Sequence, residues 1–247
     1  MRDYKKEVQK RVEFIRKILK DSGASGIVFG NSGGKDCALV GILCKMACDN
    51  TVGLIMPGSS EKNYKSDMED AMALGSQYNI ENRVCDIGEA LAACKSSLNG
   101  CTELTDTAAS NISPRLRMLS LYAFAQSEGR LVAGTGNRSE IYIGYFTKWG
   151  DGASDFNPIA DLTATEVYDF LKYLNAPLSI RQKPPSAGLY EGQTDEDDIG
   201  VSYKDLDKYI IKGEIENKEA QERIDRMHKN TEHKRRAIPA LSTEKEK

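Results

Sequence analysis

Apolar residues recur at helical spacing from the first turns of the chain, where Val8, Val12, Ile15, Ile18 and Leu19 share one face. This predicts an amphipathic helix over roughly Tyr4 to Lys20 that stops at Ser22-Gly23. Three residues, Ile27-Val28-Phe29, then form a continuous apolar run, the mark of a buried strand. It passes through Gly30-Asn31-Ser32-Gly33-Gly34-Lys35-Asp36 into an apolar helix over Cys37 to Cys48. A second strand, Val52 to Met56, stops at Pro57-Gly58; a polar loop and a helix over about Ser66 to Tyr78 follow. A third strand, Arg83-Val84-Cys85, precedes helical stretches at Ile87 to Ser97 and Asn111 to Glu128. The fourth, Leu131-Val132-Ala133, ends at Gly134-Thr135-Gly136. Strands alternating with helices predict an α/β fold: a parallel sheet with helices on both faces, Rossmann-like.

Past the fourth strand the alternation stops. Gly144 to Ala160 reads as loop, Thr163 to Leu174 as a helix ending before Pro177, and Pro184 to Val201 as a long acidic, glycine-containing loop suited to a lid. Ser202-Tyr203-Lys204-Asp205 reads as a capping box opening a helix to about Lys212. A charged helix over Glu216 to Lys229 precedes the basic cluster His233-Lys234-Arg235-Arg236, and Ser242 to Lys247 reads as a disordered tail. No repeat or linker divides the chain, so residues 1–247 are read as a single domain.

Composition narrows the class. The 34 basic and 37 acidic residues give a net charge of -3, which offers no general pull toward nucleic acid. Six cysteines without a C-x-x-C pair and only two histidines make no zinc framework, and the absence of a secretory leader argues against disulfides. Cys44 and Cys48 share a helix face and read as core. No stretch is apolar for long enough to span a bilayer, so the expectation is a cytoplasmic protein with neither membrane nor nucleic acid as partner.

The chemistry concentrates at strand ends. A glycine turn between a strand and a helix offers backbone N–H groups and a helix N-terminus to an anion. This turn is not the Walker type, because Phe29 stands where that motif needs its first glycine and Asp36 where it needs Ser or Thr. An acid in place of the hydroxyl suggests a carboxylate holding a metal beside phosphates, and Glu140, also at a strand's carboxyl end, could join Asp36 on Mg²⁺. Gly134 to Ser139 approximates a dinucleotide fingerprint, but Ser139 replaces its third glycine, which weakens a nicotinamide oxidoreductase reading.

Taken together in order, these segments and several others resemble a known family. Ser32-Gly33-Gly34-Lys35-Asp36 resembles the loop of the N-type ATP pyrophosphatases, which implies the adenine nucleotide alpha hydrolase-like fold. Pro114 to Leu119, Gly134 to Glu140, Gly144 to Gly152, Pro158 to Leu162, Pro185 to Leu189, Glu191 to Glu196 and His233-Lys234-Arg235 narrow the resemblance to the ammonia-dependent NAD⁺ synthetase family. The resemblance implies ATP-dependent amidation of deamido-NAD⁺ with ammonia through an adenylated intermediate, giving NAD⁺, AMP and pyrophosphate. It implies that Gly30, Asn31, Ser32, Gly33, Gly34, Lys35, Asp36, Cys37, Thr135 and Ser186 contact ATP, with Asp36 and Glu140 on Mg²⁺. It further implies that Arg115, Lys148, Asp155, His233 and Lys234 bind deamido-NAD⁺, and that Asp151 lies near the incoming ammonia in a catalytic role. Family members are homodimers with the dinucleotide across the interface. Because the resemblance uses nearly every residue, no glutaminase domain is expected and free ammonia is the expected nitrogen source.

Two positions depart from the family pattern. Cys37 stands in place of a serine, and a thiol donates hydrogen bonds more weakly. Ala164 stands in place of a phosphate-binding lysine, for which Lys35 or Lys62 could compensate. The alternatives are another amide- or thiol-forming enzyme of the pyrophosphatase group and a nucleotide-binding regulator that has lost catalysis.

Overall fold

The structure is a computed structural model that describes residues 2–58, 61–183 and 194–241. Ser186, the tail at 242–247, the side chain of Lys62 and much of the expected lid lie outside the described residues. The chain runs α1 (Tyr4–Ser22), β1 (Gly26–Gly30), α2 (Lys35–Ala47), β2 (Thr51–Ile55), α3 (Glu61–Tyr78) and β3 (Glu81–Val84). It continues through α4 (Gly88–Asn99), α5 (Asp106–Ser110), α6 (Ile112–Glu128), β4 (Arg130–Ala133) and α7 (Arg138–Ile143). The last elements are α8 (Ala164–Tyr173), α9 (Leu178–Gln182), α10 (Asp195–Ile199), α11 (Tyr203–Lys212), α12 (Lys218–Asn230) and a 3₁₀ turn, Glu232–Lys234.

Strand pairing is parallel throughout, in the order β3-β2-β1-β4. The chain winds outward from β1 to β3 and returns to place β4 on the other side, so direction reverses between β1 and β4. A crevice at such a reversal is where α/β sheets bind ligands. Phe29 pairs with Ala133 across it, which sets Gly30 and Gly134 side by side at the strand ends. A parallel bridge between Ala133 and Phe156 extends the sheet by one short segment inside the stretch that reads as loop from sequence.

The apolar strands bury both faces. On one, Ile15, Ile27, Phe29, Leu39, Ile42, Phe170 and Leu171 form the main core with α1, α2 and α8. On the other, Val28, Leu54, Ile87 and Val132 pack with α4 and α6. Burying an apolar side chain of this size stabilises by about 1.5–3 kcal/mol. Gly41 allows the close approach of α2 to the sheet, since a Cβ there would lie 2.5 Å from Cζ of Phe29. A third cluster, around Ile143, Ala164, Ile199, Leu206 and Ile224, joins α7, α8, α10, α11 and α12.

Several boundaries differ from the sequence expectation. Helix α3 begins at Glu61, not near Ser66, through a polar turn that carries no apolar period. Ser202 caps α11 by accepting from Asp205 N–H at 3.1 Å, but the Asp205 carboxylate takes the Ser202 hydroxyl and not its backbone N–H, so the box is not reciprocal. Cys44 is core, whereas Cys48, at the end of α2, is only partly buried. Among the described residues, no helix is long and apolar enough to cross a membrane.

Candidate active site

A cavity of about 810 Å³ opens at the carboxyl ends of β1, β2 and β4. Gly30, Asn31, Ser32, Gly34, Lys35, Asp36 and Cys37 form one side of it. Asn31 is a structural anchor as well as a wall residue: its Nδ2 donates to Asn82 Oδ1 at 2.9 Å, and its Oδ1 accepts from Gly33 N–H at 3.3 Å. Gly33 itself lies behind the wall with φ 73°, and a Cβ there would collide with the Asp67 carbonyl. That pairing of left-handed backbone with close approach requires glycine. Gly34 N–H donates to Ser32 Oγ at 3.3 Å, and the same oxygen lies 3.2 Å from Cys37 Sγ. The loop therefore ends on the first turn of α2, whose backbone N–H groups are available to an anion.

The opposite edge of the crevice is α7. Asn137 caps it, accepting from Ser139 N–H at 3.0 Å and Glu140 N–H at 3.1 Å, while Glu140 Oε2 accepts from Asn137 N–H at 3.2 Å. This reciprocal box turns the Glu140 carboxylate toward the crevice. Asn137 Nδ2 also donates to Asp36 Oδ1 at 3.1 Å, tying the two strand-end segments together. Lys35 Nζ lies 2.5 Å from Asp36 Oδ2 and 3.9 Å from Glu140 Oε1. Burial works against the Lys35 charge, but the two carboxylates outweigh it and raise its pKa. Glu140 is raised well above the ordinary glutamate range by burial and by Asp36, against the pull of Lys35. Behind α7, buried Asp207 accepts the Ser139 hydroxyl, Thr165 N–H at 2.8 Å and Thr165 Oγ1 at 2.7 Å, fastening α7 and α8 to α11.

The two carboxylates offer oxygen ligands on converging elements, a donor set that fits a hard divalent ion whose other ligands would be phosphate oxygens and water. Among the described residues there is no group of three or more acidic, histidine or cysteine side chains that could hold a metal without such help.

A third wall comes from the segment after α7. Trp149 adopts φ 61°, an unusual conformation for a bulky residue, in a turn where Gly150 N–H donates to Thr147 O at 2.9 Å. The turn brings Asp151 back so that its Oδ1 accepts Thr147 N–H at 2.9 Å. Asp151 borders the cavity and is reached by solvent, yet surrounding protein raises its carboxyl, with Thr147 N–H and Lys234 opposing. Lys234 Nζ donates to Gly144 O at 2.7 Å and Phe146 O at 2.6 Å, and burial lowers its pKa. The apolar floor contains Leu54, Met56, Leu121 and Val132, with Arg117 Nε donating to Met56 O at 3.0 Å.

The cavity thus gathers most of the residues singled out from sequence, including Thr135, Glu140, Asp151 and Lys234. Arg115, Lys148, Asp155 and His233 are not among its lining residues. Arg115 and His233 are exposed, Lys148 Nζ donates to His233 O at 2.8 Å, and Asp155 Oδ2 accepts Val132 N–H at 2.7 Å. Sequence reasoning missed Lys183 and Tyr168 in the wall. Lys183 pairs with Asp67 at 2.6 Å and Asp70 at 2.8 Å; its one local signal is its place just before Pro184-Pro185.

Comparison with known proteins agrees with this geometry. The family model described as NAD synthase matches residues 7–238. A protein from Carboxydothermus hydrogenoformans named NH(3)-dependent NAD(+) synthetase is 44% identical over 97% of this chain and 98% of its own. The solved structure of an NMN synthetase from Francisella tularensis superposes with a TM-score of 0.91 at 38% identity, covering 98% of this chain and 99% of that one. An NH3-dependent NAD synthetase from Campylobacter jejuni, in complex with nitrate, gives a TM-score of 0.80 at 30% identity, covering 98% and 100%.

Proposed function

The chain belongs to the NAD synthase family, and we propose that it carries out ATP-dependent amidation of deamido-NAD⁺ with ammonia, the last step of NAD⁺ biosynthesis. The observation that carries this reading is the convergence of Asp36 and Glu140, from opposite sides of the crevice, beside the glycine loop in one cavity.

A nicotinate carboxylate is a poor electrophile, so its oxygen first attacks the α-phosphorus of ATP. The bond from that phosphorus to the bridging oxygen breaks, and pyrophosphate leaves. The N-terminus of α2 is placed to stabilise that growing charge, and Gly33 N–H and Gly34 N–H, held by Asn31 Oδ1 and Ser32 Oγ, would join it by exchanging those acceptors for phosphate oxygens. Asp36 and Glu140 would hold Mg²⁺, which supplies further charge neutralisation on the phosphates. Ammonia then attacks the carbonyl carbon of the mixed anhydride, a proton leaves the nitrogen, and AMP departs. Asp151 supplies a carboxylate on the cavity wall, raised above the ordinary aspartate range by burial, that can take a proton from the nitrogen and attract ammonium.

The apolar floor of Leu54, Met56, Leu121 and Val132, with Arg117 beside it, offers an apolar surface for an adenine ring. Arg115, Lys148, Asp155 and His233 stand off the cavity, in keeping with a homodimer in which deamido-NAD⁺ is shared between two copies. Ser186 is a further proposed ATP contact. The setting is the cytoplasm.

One observation bears on a second acceptor. Among the two solved structures the Francisella NMN synthetase superposes better, with a TM-score of 0.91 against 0.80, whereas the Carboxydothermus NAD(+) synthetase, at 44% identity, keeps deamido-NAD⁺ as the first reading. Nicotinate mononucleotide presents the same reacting carboxylate without the adenylate half, so the chemistry is unchanged. Purified protein with ATP, Mg²⁺ and ammonium, offered deamido-NAD⁺ or nicotinate mononucleotide, separates the two. Formation of NAD⁺, AMP and pyrophosphate supports the first reading; a strong preference for the mononucleotide supports the second. ATP cleavage to ADP, or no amide from either acceptor, would defeat both.

A further inference from the structure

We propose that Lys35 is a tethered cation that exchanges partners: it neutralises Asp36 and Glu140 until a divalent ion takes those carboxylates, and then passes to the nucleotide phosphates. The proposal rests on the reading of this cavity as an ATP site and adds a residue to its working parts.

Lys35 is the first residue of α2 and is 7% exposed, a placement that lysine tolerates only with partners. Among the described residues, it is the cation that forms ion pairs with Asp36, at 2.5 Å, and with Glu140, at 3.9 Å. Its Nζ also faces the Tyr168 ring at 5.7 Å and the Tyr203 ring at 5.6 Å. Aromatic faces attract a cation without fixing its position, so they can accompany it through a short displacement.

An ion joining the same two carboxylates would sit about 2.0–2.1 Å from each ligating oxygen. The ammonium head, 2.5 Å from Asp36 Oδ2 and 3.9 Å from Glu140 Oε1, lies against the same carboxylates, and two adjacent cations repel. One must yield. The backbone of Lys35 cannot move far, because α2 is packed on both the sheet and α8. Its four-carbon stem can turn, and the turn that begins at Ser32 is immediately beside its own N–H. A phosphate there would present the ammonium with a new anion as the carboxylates are taken away.

Two consequences follow from one exchange. Divalent ion binding without nucleotide must displace the ammonium and is therefore weak; with nucleotide present the displaced charge is re-used, and both ligands gain. Metal and ATP then arrive as a coupled pair.

The test uses the full chain as wild type, Lys35→Met and Lys35→Gln, with free Mn²⁺ followed by electron paramagnetic resonance and a non-hydrolysable ATP analogue followed by calorimetry. Both variants are expected to bind Mn²⁺ alone about tenfold more tightly and the analogue with Mn²⁺ about tenfold more weakly. Damage to the fold would weaken both. If Lys35→Met does not fold, Lys35→Gln decides. In wild type the analogue should raise Mn²⁺ affinity about tenfold or more. Unchanged or weaker binding of Mn²⁺ alone, or unchanged nucleotide affinity, in the folded variants would overturn the proposal. Neither titration contains a nicotinate acceptor, so failure of the amidation reading would show separately, as absence of amide product from the wild type.

Discussion

Asn137 Nδ2 donates to Asp36 Oδ1 at 3.1 Å, and through this bond the cap of α7 also positions the carboxylate at the start of α2. One fully buried side chain therefore serves three groups: two N–H donors of its own helix and the acid across the crevice. The spacing of Asp36 from Glu140 depends on it.

Replacing Asn137 with alanine removes the cap and leaves the buried N–H groups of Ser139 and Glu140 without their acceptor. Loss of a cap costs about 1 kcal/mol and an unsatisfied buried donor about 1–3 kcal/mol. A loss near 2 kcal/mol lowers Tm by about 4–8 °C in a chain of this size, and AMP release should fall about tenfold or more as the carboxylates drift. Asn137→Asp keeps the capping oxygen but sets a second charge against Asp36, so it should recover part of the stability and none of the activity. Calorimetric melting with an AMP assay checks both; wild-type activity in Asn137→Asp would show that the bond to Asp36 is idle.

Cys37 stands 3.2 Å from Ser32 Oγ in the phosphate loop, and burial raises its thiol, against hydrogen bonds from Ser32. A hydroxyl donates more strongly than a thiol at the same place. Cys37→Ser is therefore expected to lower the ATP KM about two- to fivefold with little change in Tm. The raised, buried thiol should also react with iodoacetamide at pH 7.5 far more slowly than exposed Cys101. Rapid labelling of Cys37, mapped by mass spectrometry, would contradict that account.

Asp151 allows a separation of charge from geometry. Its Oδ1 accepts Thr147 N–H, a bond that an asparagine carbonyl can keep. The folded carboxyl is raised, so from the ordinary aspartate range upward the unfolded chain ionises first, and wild-type stability falls until the folded group has ionised as well. Asp151→Asn escapes this penalty. Its Tm should equal or slightly exceed that of wild type near pH 7.5, with the advantage vanishing at acid pH where Asp151 is protonated; solvent at the cavity keeps the effect to a degree or two. Amide formation should fall by about 100-fold, within the usual range for a general base. A variant with full activity would exclude both a base and an ammonium-attracting role.

Strands β1, β2 and β4 and the glycine loop were legible because each of these strands carries a short apolar run closed by glycine or a polar turn, because α1 has a clear period and because α2 is apolar on every side; β3, Glu81–Val84, is polar and begins two residues before the expected Arg83-Val84-Cys85. Helix α7 was not, since Arg138–Ile143 spans too few residues for a period to register and is set by the Asn137 cap. The same shortness hid α5, α9 and α10. Asp36 and Glu140 were legible as candidates from their place after strands, but the ammonium between them was not: in sequence, Lys35 beside two glycines points to a phosphate. Only the fold shows it shared between its neighbour Asp36 and the distant Glu140, just as it shows Asp207 bracing Ser139 and Thr165.

The same limit decides the fate of a lysine at Ala164. Judged from sequence, Ala164→Lys restores a cation to a phosphate site and lowers the ATP KM. In the fold, Ala164 is 1% exposed, opens α8, donates its N–H to Ser139 Oγ at 3.0 Å and packs in one cluster with Ile143, Ile199 and Tyr203. Tyr203 is also the ring that Lys35 Nζ faces, so a second ammonium threaded through this cluster would approach the first. Overpacking costs about 1–3 kcal/mol before any repulsion between charges is counted. Ala164→Lys alone should therefore lower Tm by about 2–12 °C without lowering the ATP KM. In the Lys35→Met background the repulsion is absent, and the added lysine should recover part of the lost nucleotide affinity. Calorimetric titration of the ATP analogue into the single and double variants checks the pair: a lower Kd for Ala164→Lys alone would restore the sequence-based expectation, whereas recovery only in the double variant would show that the two positions compete to place one cation.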